Sequence, residues 1–233
     1  MAAGHPIVIA VTGLAFEARI ARRSGVMVIF DGDRRRLVSA LERAIASGSR
    51  GIISFGIAGG LAHDVALGDL VVASLIVTEK RRFATCPTWS DRIRHSIPGA
   101  RSGAIAGVDS AVADSPTKRA LHQRTGAAVV DMESHVAAEV AEAYGIPFAA
   151  VRVVADPLHR VLPEAALIPL RANGRPDIPV ILGSVAANLR QVPSLMRLAL
   201  DAYVARRTLL RSRKLLGPGL GFPHFTECGF NVA

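Results

Sequence analysis

The stretch from Asp131 to Pro157 constrains the fold more than any other part of the sequence. After a polar turn that carries Glu133, apolar residues recur at the three- and four-residue spacing of one helix face, and a Gly-Ile-Pro break ends the pattern. Residues 148–154 are then apolar except for one arginine, which is typical of a strand buried on both faces. Asp156 follows at the carboxyl end of that strand, where open α/β sheets bind their ligands. The carboxylates of Glu133 and Asp156 are therefore predicted to flank one buried helix–strand unit.

Both carboxylates also have a purely structural interpretation. An acidic residue in the first turn of a helix, such as Glu133, interacts favourably with the helix dipole. An aspartate before a proline, such as Asp156, is common in turns. This stretch alone leaves the functional and the structural interpretation open for each residue.

Strands and helices alternate through most of the remaining chain. Strands are predicted over 6–11, 26–30, 51–55, 70–78, 102–108 and 127–130, and helices over 14–23, 34–47, 115–124, 178–189 and 193–216. This alternation indicates an α/β sheet covered by helices on both faces. Length favours a single domain, assigned to residues 1–216, followed by a C-terminal tail, 217–233, expected to be poorly ordered. Residues 79–91 are expected to form an irregular loop over a site.

A glycine cluster follows the third predicted strand. Gly56, Gly59 and Gly60 fall within five positions, and without side chains their backbone N–H groups can approach a ligand closely. The alternative is a tight turn in which the backbone packs against itself. The spacing does not match the dinucleotide-binding fingerprint, so that class of cofactor is not predicted.

The net charge of +9 raises the question of an anionic partner. Such a charge can favour nucleic acid, anionic lipid or phosphorylated ligands. Nucleic acid is not expected, because the basic residues are not interleaved with aromatic ones. Residues 190–214 carry seven basic residues and one acidic residue, Asp201. Since Arg206 and Arg213 fall on the leucine-rich face of the helix predicted there, its last turns are expected to leave the core.

This basic segment has two interpretations, a solvated helix end or a peripheral contact with an anionic membrane surface. No uncharged apolar stretch approaches the roughly 20 residues that a membrane span requires. The two cysteines, Cys86 and Cys228, are far apart and match no metal-binding spacing. A reduced cytoplasmic protein without a signal peptide is expected. Under the second interpretation of the basic segment, it would also associate peripherally with a membrane.

Three motifs occur in order along the chain: an acidic residue after the first strand (Glu17), GIAGGL at 56–61, and DMES…VVADP with Met132, Glu133 and Asp156. Together they resemble the superfamily of nucleoside phosphorylases and methylthioadenosine/S-adenosylhomocysteine nucleosidases, over roughly residues 7–157. The proline-rich segment after Asp156 and the arginine-rich tail look like the hopanoid-associated phosphorylase branch, which acts on adenosylhopane.

The resemblance implies a three-layer αβα sandwich with a central mixed sheet, and cleavage of an N-glycosidic bond that releases adenine. Asp156 would protonate N7 of the leaving base, which requires a carboxyl whose pKa is raised by desolvation. Met132 would pack on the ribose, and Glu133 would accept hydrogen bonds from its hydroxyls. Ala58 and Gly59 would line the sugar, and a segment containing Ala111 and Val112 would contact the adenine.

The resemblance leaves the nucleophile open. Glu17 would orient water in a nucleosidase, whereas Gly32 and Arg34 at a helix start would hold phosphate in a phosphorylase. The GIAGGL motif has Ile57 where many relatives carry Ser or Thr. On balance the sequence favours phosphorolysis of adenosylhopane, with phosphate as co-substrate.

The alternatives are a methylthioadenosine/S-adenosylhomocysteine nucleosidase that uses water, and a nucleoside-binding module without catalysis. The resemblance further implies that no metal and no organic cofactor is needed. It also implies a homo-oligomer, with a dimer as the first expectation, in which a neighbouring subunit closes the site.

Overall fold

The computed structural model describes residues 7–168, 179, 180, 184, 188 and 191–223. The strands in this part of the chain are β1 (Val8–Val11), β2 (Val26–Ile29), β3 (Gly51–Gly60), β4 (Leu70–Val77), β5 (Arg82–Ala84), β6 (Arg101–Gly107), β7 (Val129–Asp131) and β8 (Phe148–Asp156). The helices are α1 (Ala15–Ala21), α2 (Arg34–Ala46), α3 (Pro87–Ser96), α4 (Ser115–Thr125), α5 (Ser134–Ala143) and α6 (Val192–Leu215), with a 3₁₀ turn at Glu164–Ala166. The predicted helix over 178–189 lies largely outside the described residues.

All eight strands form one mixed sheet, in the order β2-β1-β3-β7-β6-β4-β5, and β8 pairs with both β3 and β4. Strands β3, β8, β4, β6 and β7 therefore close into a ring. The end of β3 lies between two other strand ends, because Gly59 is in register with Val130 of β7 and with Asp156 of β8. This pairing brings the ends of three strands to one place, although they are far apart in sequence.

Helices cover both faces of the sheet. Apolar side chains of α2 and α5 pack on one face in a single cluster with residues of β1 and β3. Those of α1, α3 and α6 pack on the other face. The αβα arrangement with a central mixed sheet is thus confirmed.

Two expectations about irregular segments were wrong. Residues 79–91 do not form a loop, because they contain β5 and the first turn of α3, which Pro87 begins and whose Trp89 is completely buried. Residues 56–60 are not a loop either, since β3 continues to Gly60. Long β3 is stabilised along its length by β1 and β8, and by β7 near its end.

The last turns of α6 stay on the core, contrary to expectation. Arg213 is buried, and its Nε donates to the carbonyl oxygen of Ala21 at 3.1 Å. Residues 217–223, assigned to the tail from the sequence, also pack on the core in the structure. The indole nitrogen of Trp89 donates to the carbonyl oxygen of Leu220 at 3.0 Å, and the ring of Phe222 meets that indole edge-on.

Among the described residues, no helix combines the length and the apolar character that crossing a membrane would require.

Candidate active site

A cavity of about 630 Å³ opens where β3, β7 and β8 end. Loops that follow β1, β2 and β6 complete its wall, as does the segment after β8. Its lining residues include Gly13, Leu14, Glu17, Phe30, Asp31, Gly32, Asp33, Arg36, Ile57, Ala58, Gly59, Val108, Ala111, Val112, Val130, Asp131, Met132, Glu133, Asp156, Leu162, Ala166, Leu167 and Ile168. The volume lies within the range typical of small-molecule sites.

Glu17 lies in the first turn of α1 and connects that helix to β3. One oxygen of its carboxylate, Oε2, accepts hydrogen bonds from the backbone N–H groups of Gly13 (2.9 Å) and Leu14 (2.8 Å), so the side chain caps its own helix. The other oxygen, Oε1, accepts from the N–H of Ile57 at 2.6 Å. The carboxylate is thus fixed at the cavity wall by three backbone donors.

The pKa of Glu17 is raised to about 7, and burial is the main cause. The guanidinium of Arg152 lowers this pKa and the carboxylate of Glu133 raises it. A carboxyl with a pKa near neutrality can exchange a proton at physiological pH, which an ordinary glutamate does not do.

Arg152 of β8 is the one charged residue of that strand's apolar run, and it is completely buried. Its Nε faces the carboxylate of Asp131 in an ion pair, and its Nη2 donates to Glu133 Oε2 at 3.1 Å. Nη2 also donates to the hydroxyl of Ser54 at 2.6 Å, and Nη1 donates to the carbonyl oxygen of Ile57 at 3.2 Å. One guanidinium therefore links β3, β7 and the start of α5 beneath the cavity.

Two glycines allow these charged groups to approach the backbone. A Cβ on Gly56 would lie 2.6 Å from both Glu17 Oε1 and Arg152 Nη1, and one on Gly13 would lie 2.4 Å from Glu133 Oε1. Any side chain at either position would displace a carboxylate. At Gly56 the glycine motif thus serves close packing of charged side chains against β3, which neither interpretation of the sequence included.

Asp156 lines the cavity beside Gly59, and Lys118 of α4 holds it. The Nζ of Lys118 is 2.7 Å from Asp156 Oδ2, and it also donates to the carbonyl oxygens of Asp156, Pro157 and Arg160 at 3.1–3.2 Å. Burial raises the pKa of Asp156, and Lys118 lowers it. The lysine side chain is fully buried, so its charge is paired inside the protein rather than solvated.

Most residues selected from the sequence line this cavity: Glu17, Gly32, Ala58, Gly59, Ala111, Val112, Met132, Glu133 and Asp156. The structure therefore brings together positions from the loop after β2, from α1, β3 and β8, and from the segments after β6 and β7. This placement concerns geometry, and the roles assigned to the residues stay predictions.

Arg34 is the exception, because it does not line the cavity. Its guanidinium pairs with Glu139 of α5 at the surface. Arg36, two positions later and on another side of α2, lines the cavity instead, where it pairs with Asp31 at 3.0 Å. Successive helical positions differ by about 100°, so two positions suffice to redirect a side chain.

Carboxylates of the chain itself bind two of the backbone N–H groups at the start of α2. Asp33 caps the helix by accepting from the N–H of Arg36 at 2.9 Å, and its own N–H donates to Asp31 at 2.9 Å. Asp31 and Asp33 thus place two carboxylates at the start of α2, and the phosphate-binding role of Gly32 and Arg34 stays a prediction.

Sequence reasoning missed Arg152, Lys118 and Asp131. An arginine within a run of strand residues was visible, and burial of such a charge requires a carboxylate nearby. Lys118 and Asp156 are far apart in the sequence, so their pairing could not be predicted from it. Among the described residues, no group of three or more His, Cys, Asp or Glu side chains could hold a metal ion, and independence from metals stays a prediction.

Arg152→Met should lower the free energy of unfolding by about 3–5 kcal/mol near pH 8, because it leaves two buried carboxylates without their counter-ion. Burial already raises the pKa of Glu133, and Arg152 lowers it, so in the variant this pKa rises further above that of the unfolded chain. The folded variant then binds more protons than the unfolded one, so its stability should increase as the pH falls. Urea unfolding at two pH values measures both effects.

Arg82→Met, at an exposed position, is the control and should change stability by no more than about 0.5 kcal/mol. A loss in Arg152→Met that is equally small, or that does not depend on pH, would contradict the ion-pair interpretation.

Known proteins with similar sequences point to one family. A family model described as the Phosphorylase superfamily matches residues 1–168. The methylthioadenosine/S-adenosylhomocysteine nucleosidases of Mycobacterium bovis and Mycobacterium tuberculosis are each 23% identical to the chain over 152 residues. That match covers 47% of this chain and 60% of those relatives, so the chain matches less than two thirds of their length.

Solved structures share the fold. The futalosine hydrolase of Helicobacter pylori superposes with a TM-score of 0.60 at 15% identity, over 89% of this chain and 96% of that one. A methylthioadenosine/S-adenosylhomocysteine nucleosidase of S. pneumoniae, solved with a transition-state inhibitor, gives a TM-score of 0.59 at 15% identity, over 90% and 99%. Because the family model spans well over half of the sequence, and these folds agree with it, the chain belongs to the phosphorylase superfamily.

Proposed function

We propose that this protein cleaves the N-glycosidic bond of a 5′-substituted adenosine and releases adenine. The observation that carries the proposal is the distribution of three carboxyl groups around one cavity. Asp156 lies beside Gly59 on one side, and Glu133 lies beside Gly13 on another, next to Glu17. Nucleoside cleavage needs three such functions: an acid for the base, a partner for the sugar and a means of activating the nucleophile.

Asp156 is assigned as the acid that protonates the departing base. A purine leaves more easily once its N7 carries a proton, so the donor must hold its own proton near neutral pH. Burial raises the pKa of Asp156 in this sense. Lys118 binds Oδ2 and fixes the carboxyl, which leaves Oδ1 for the ligand.

Glu133 and Met132 are assigned to the ribose. The sugar gains positive charge as the bond breaks, and a fixed carboxylate favours that charge. Arg152 holds Glu133 through Oε2, so the carboxylate is oriented before the substrate binds. Met132 is 43% exposed and offers an apolar surface beside it.

The exposed Met132 also supports the proposed homodimer. An apolar side chain at the cavity wall would be covered if a neighbouring subunit closed the site, as the family resemblance implies.

Water is the nucleophile that the charges of the cavity support best. Among the described residues that line it, six carry carboxylates (Glu17, Asp31, Asp33, Asp131, Glu133 and Asp156), and Arg36 is the one with a basic side chain. That arginine is already paired with Asp31. A phosphate dianion would be repelled by such a lining, whereas Glu17 can orient and deprotonate a water molecule.

Phosphorolysis of adenosylhopane is the second candidate, and a different observation favours it. Leu162, Ala166, Leu167 and Ile168 form an apolar wall at one end of the cavity. A large hydrocarbon group on the 5′ carbon of the substrate would fit against such a wall. The proline-rich segment that contains this wall is part of the resemblance to the hopanoid-associated branch.

Adenine release, measured by chromatography, tests both candidates. Methylthioadenosine and adenosylhopane are each incubated with the protein, with and without inorganic phosphate. We expect release without phosphate, because Glu17 activates water. Release that occurs only with phosphate, and only from adenosylhopane, would establish the second candidate instead. Release from neither substrate would contradict the proposal.

Asp156→Asn should reduce kcat/KM by about 10²–10⁴-fold, because the amide cannot donate the proton that the base requires. Substrate affinity should change only a few-fold, since the two side chains have the same shape. Asp91→Asn, at an exposed position, is the control with full activity. Full turnover in Asp156→Asn would remove the acid assignment, and ligand binding without turnover in the unsubstituted protein would indicate a binding module.

The pH profile of kcat/KM should be bell-shaped. As the base, Glu17 must be ionised, and its pKa is raised to about 7, so the rate should fall as the pH drops below about 7. As the acid, Asp156 must be protonated, so the rate should also fall as the pH rises through its raised pKa. Steady-state assays of the unsubstituted protein and of Glu79→Gln, a control at an exposed position, should coincide. A flat profile between about pH 5 and 7 would exclude Glu17 as the base.

A further inference from the structure

Helix α6 has two opposite faces of different character. The core-facing side chains recur every three to four residues and include Asp201, Ala205, Leu209 and Ser212. The opposite face, here called the outer stripe of α6, consists of Met196, Leu200, Tyr203, Arg207, Arg211 and Lys214. It extends over about 27 Å, at 1.5 Å per residue.

The first half of the outer stripe is apolar and exposed. Met196, Leu200 and Tyr203 are 65%, 66% and 54% exposed. Val204, the next residue along the helix, is also exposed, so four large apolar side chains are exposed within nine positions of α6. A concentration of this kind marks an interaction surface rather than scattered surface residues.

The second half of the outer stripe is basic, and a basic groove borders it. The groove, of about 220 Å³, runs between α1 and α6 and is lined by Arg19, Arg22, Arg23, Arg206, Arg213 and Lys214, with the rest of its lining apolar. No acidic side chain lines it in the part of the chain that the structure describes.

Arg213 shows that the positive charge of this groove is not balanced internally. Its guanidinium is buried, and it donates to the backbone carbonyl oxygens of Ala21, Gly217 and Pro218. None of the ion pairs among the described residues supplies a carboxylate to it. Burial and the neighbouring Arg23 lower its pKa, as expected of a cation that is removed from water and lies beside another cation.

We propose that the outer stripe of α6, together with the basic groove, docks the protein on the surface of an anionic lipid bilayer. Apolar side chains of the first half would enter the boundary between headgroups and acyl chains, and the basic half would contact lipid phosphates. A second copy of this chain fits less well, because the stripe and the groove offer no carboxylate to neutralise the basic half.

The core-facing side of α6 also contacts the segment that forms the apolar wall of the cavity. Asp201 of α6 pairs with Arg160 at 2.7 Å, and the side-chain oxygen of Gln191 accepts from the N–H of Ala165 at 3.0 Å. Both contacts tie the first half of α6 to the segment that forms this wall. The docking proposal itself does not depend on the proposed reaction, so either can fail without the other.

The test is flotation of the full chain with vesicles of phosphatidylcholine alone or mixed with phosphatidylglycerol. We expect binding to the anionic vesicles and none to the neutral ones. Arg207→Gln/Arg211→Gln/Lys214→Gln should weaken binding about 100-fold, since each basic residue near an anionic surface contributes about fivefold. Met196→Gln/Leu200→Gln/Tyr203→Gln should also weaken it, because the apolar contact is lost.

The matched control is Lys80→Gln/Arg82→Gln/Arg119→Gln, which removes the same charge from exposed positions elsewhere and should bind normally. Equal loss in this control would reduce the effect to net charge and overturn the proposal. So would vesicle binding that the apolar triple variant retains in full. If the unsubstituted protein forms a dimer but does not bind vesicles, and the apolar triple variant is monomeric, the stripe would instead be assigned to a contact with a second copy. Binding of inorganic phosphate or glycerol 3-phosphate without binding to vesicles would assign the groove to a soluble anion.

Discussion

The arrangement of the cavity depends on the buried charge of Arg152. A guanidinium without water around it is stable only when carboxylates neutralise it and hydrogen bonds satisfy its donors. Asp131 and Glu133 provide the carboxylates, and Ser54 and the carbonyl oxygen of Ile57 accept most of the remaining hydrogen bonds. The requirement to neutralise one arginine therefore fixes where β3, β7 and α5 meet.

Burial in the same cluster is the main reason that the pKa of Glu17 is raised to about 7. The positive charge of Arg152 favours the ionisation of Glu17, and the negative charge of Glu133 opposes it. Since burial adds to the opposition, the proton is held until the pH is near neutral. Across the cavity, Lys118 lowers the pKa of Asp156 while burial raises it. The pKa values of Glu17 and Asp156 are thus adjusted by separate counter-ions, Arg152 of β8 and Lys118 of α4.

Much of the cavity could be predicted from the sequence, because its residues stand at the ends of recognisable elements. Glu133 follows a short strand and precedes a helix, and Asp156 ends a run of apolar residues, so position along the chain sufficed to select them. Arg152 and Lys118 could not be assigned in this way, since their partners are determined by strand pairing and helix packing. The sequence predicts Arg34 rather than Arg36 at the site, because it indicates where a helix begins but not how the helix is rotated about its axis.

The error about α6 has a similar cause. Leucine periodicity predicts one face for the core, but the buried face carries Asp201, Ser212 and Arg213. Asp201 and Arg213 have partners that only the folded chain supplies, and Ser212 donates to the carbonyl oxygen of Thr208 within the helix. Polar residues that are buried with partners look like surface residues in a sequence. The glycines of β3 posed the converse difficulty, because close packing of side chains on a strand and a ligand-binding loop require the same residue type.

Lys118 has one further consequence, which concerns how this protein could acquire new substrates. Its amino group binds three carbonyl oxygens between positions 156 and 160, so the chain is clamped just before it enters the apolar wall at 162–168. Substitutions, insertions or deletions beyond the clamp can reshape the wall without moving Asp156. Selection can therefore vary the apolar end of the cavity while the position of Asp156 is inherited unchanged, and a designer can exchange the segment at 162–168 on the same principle.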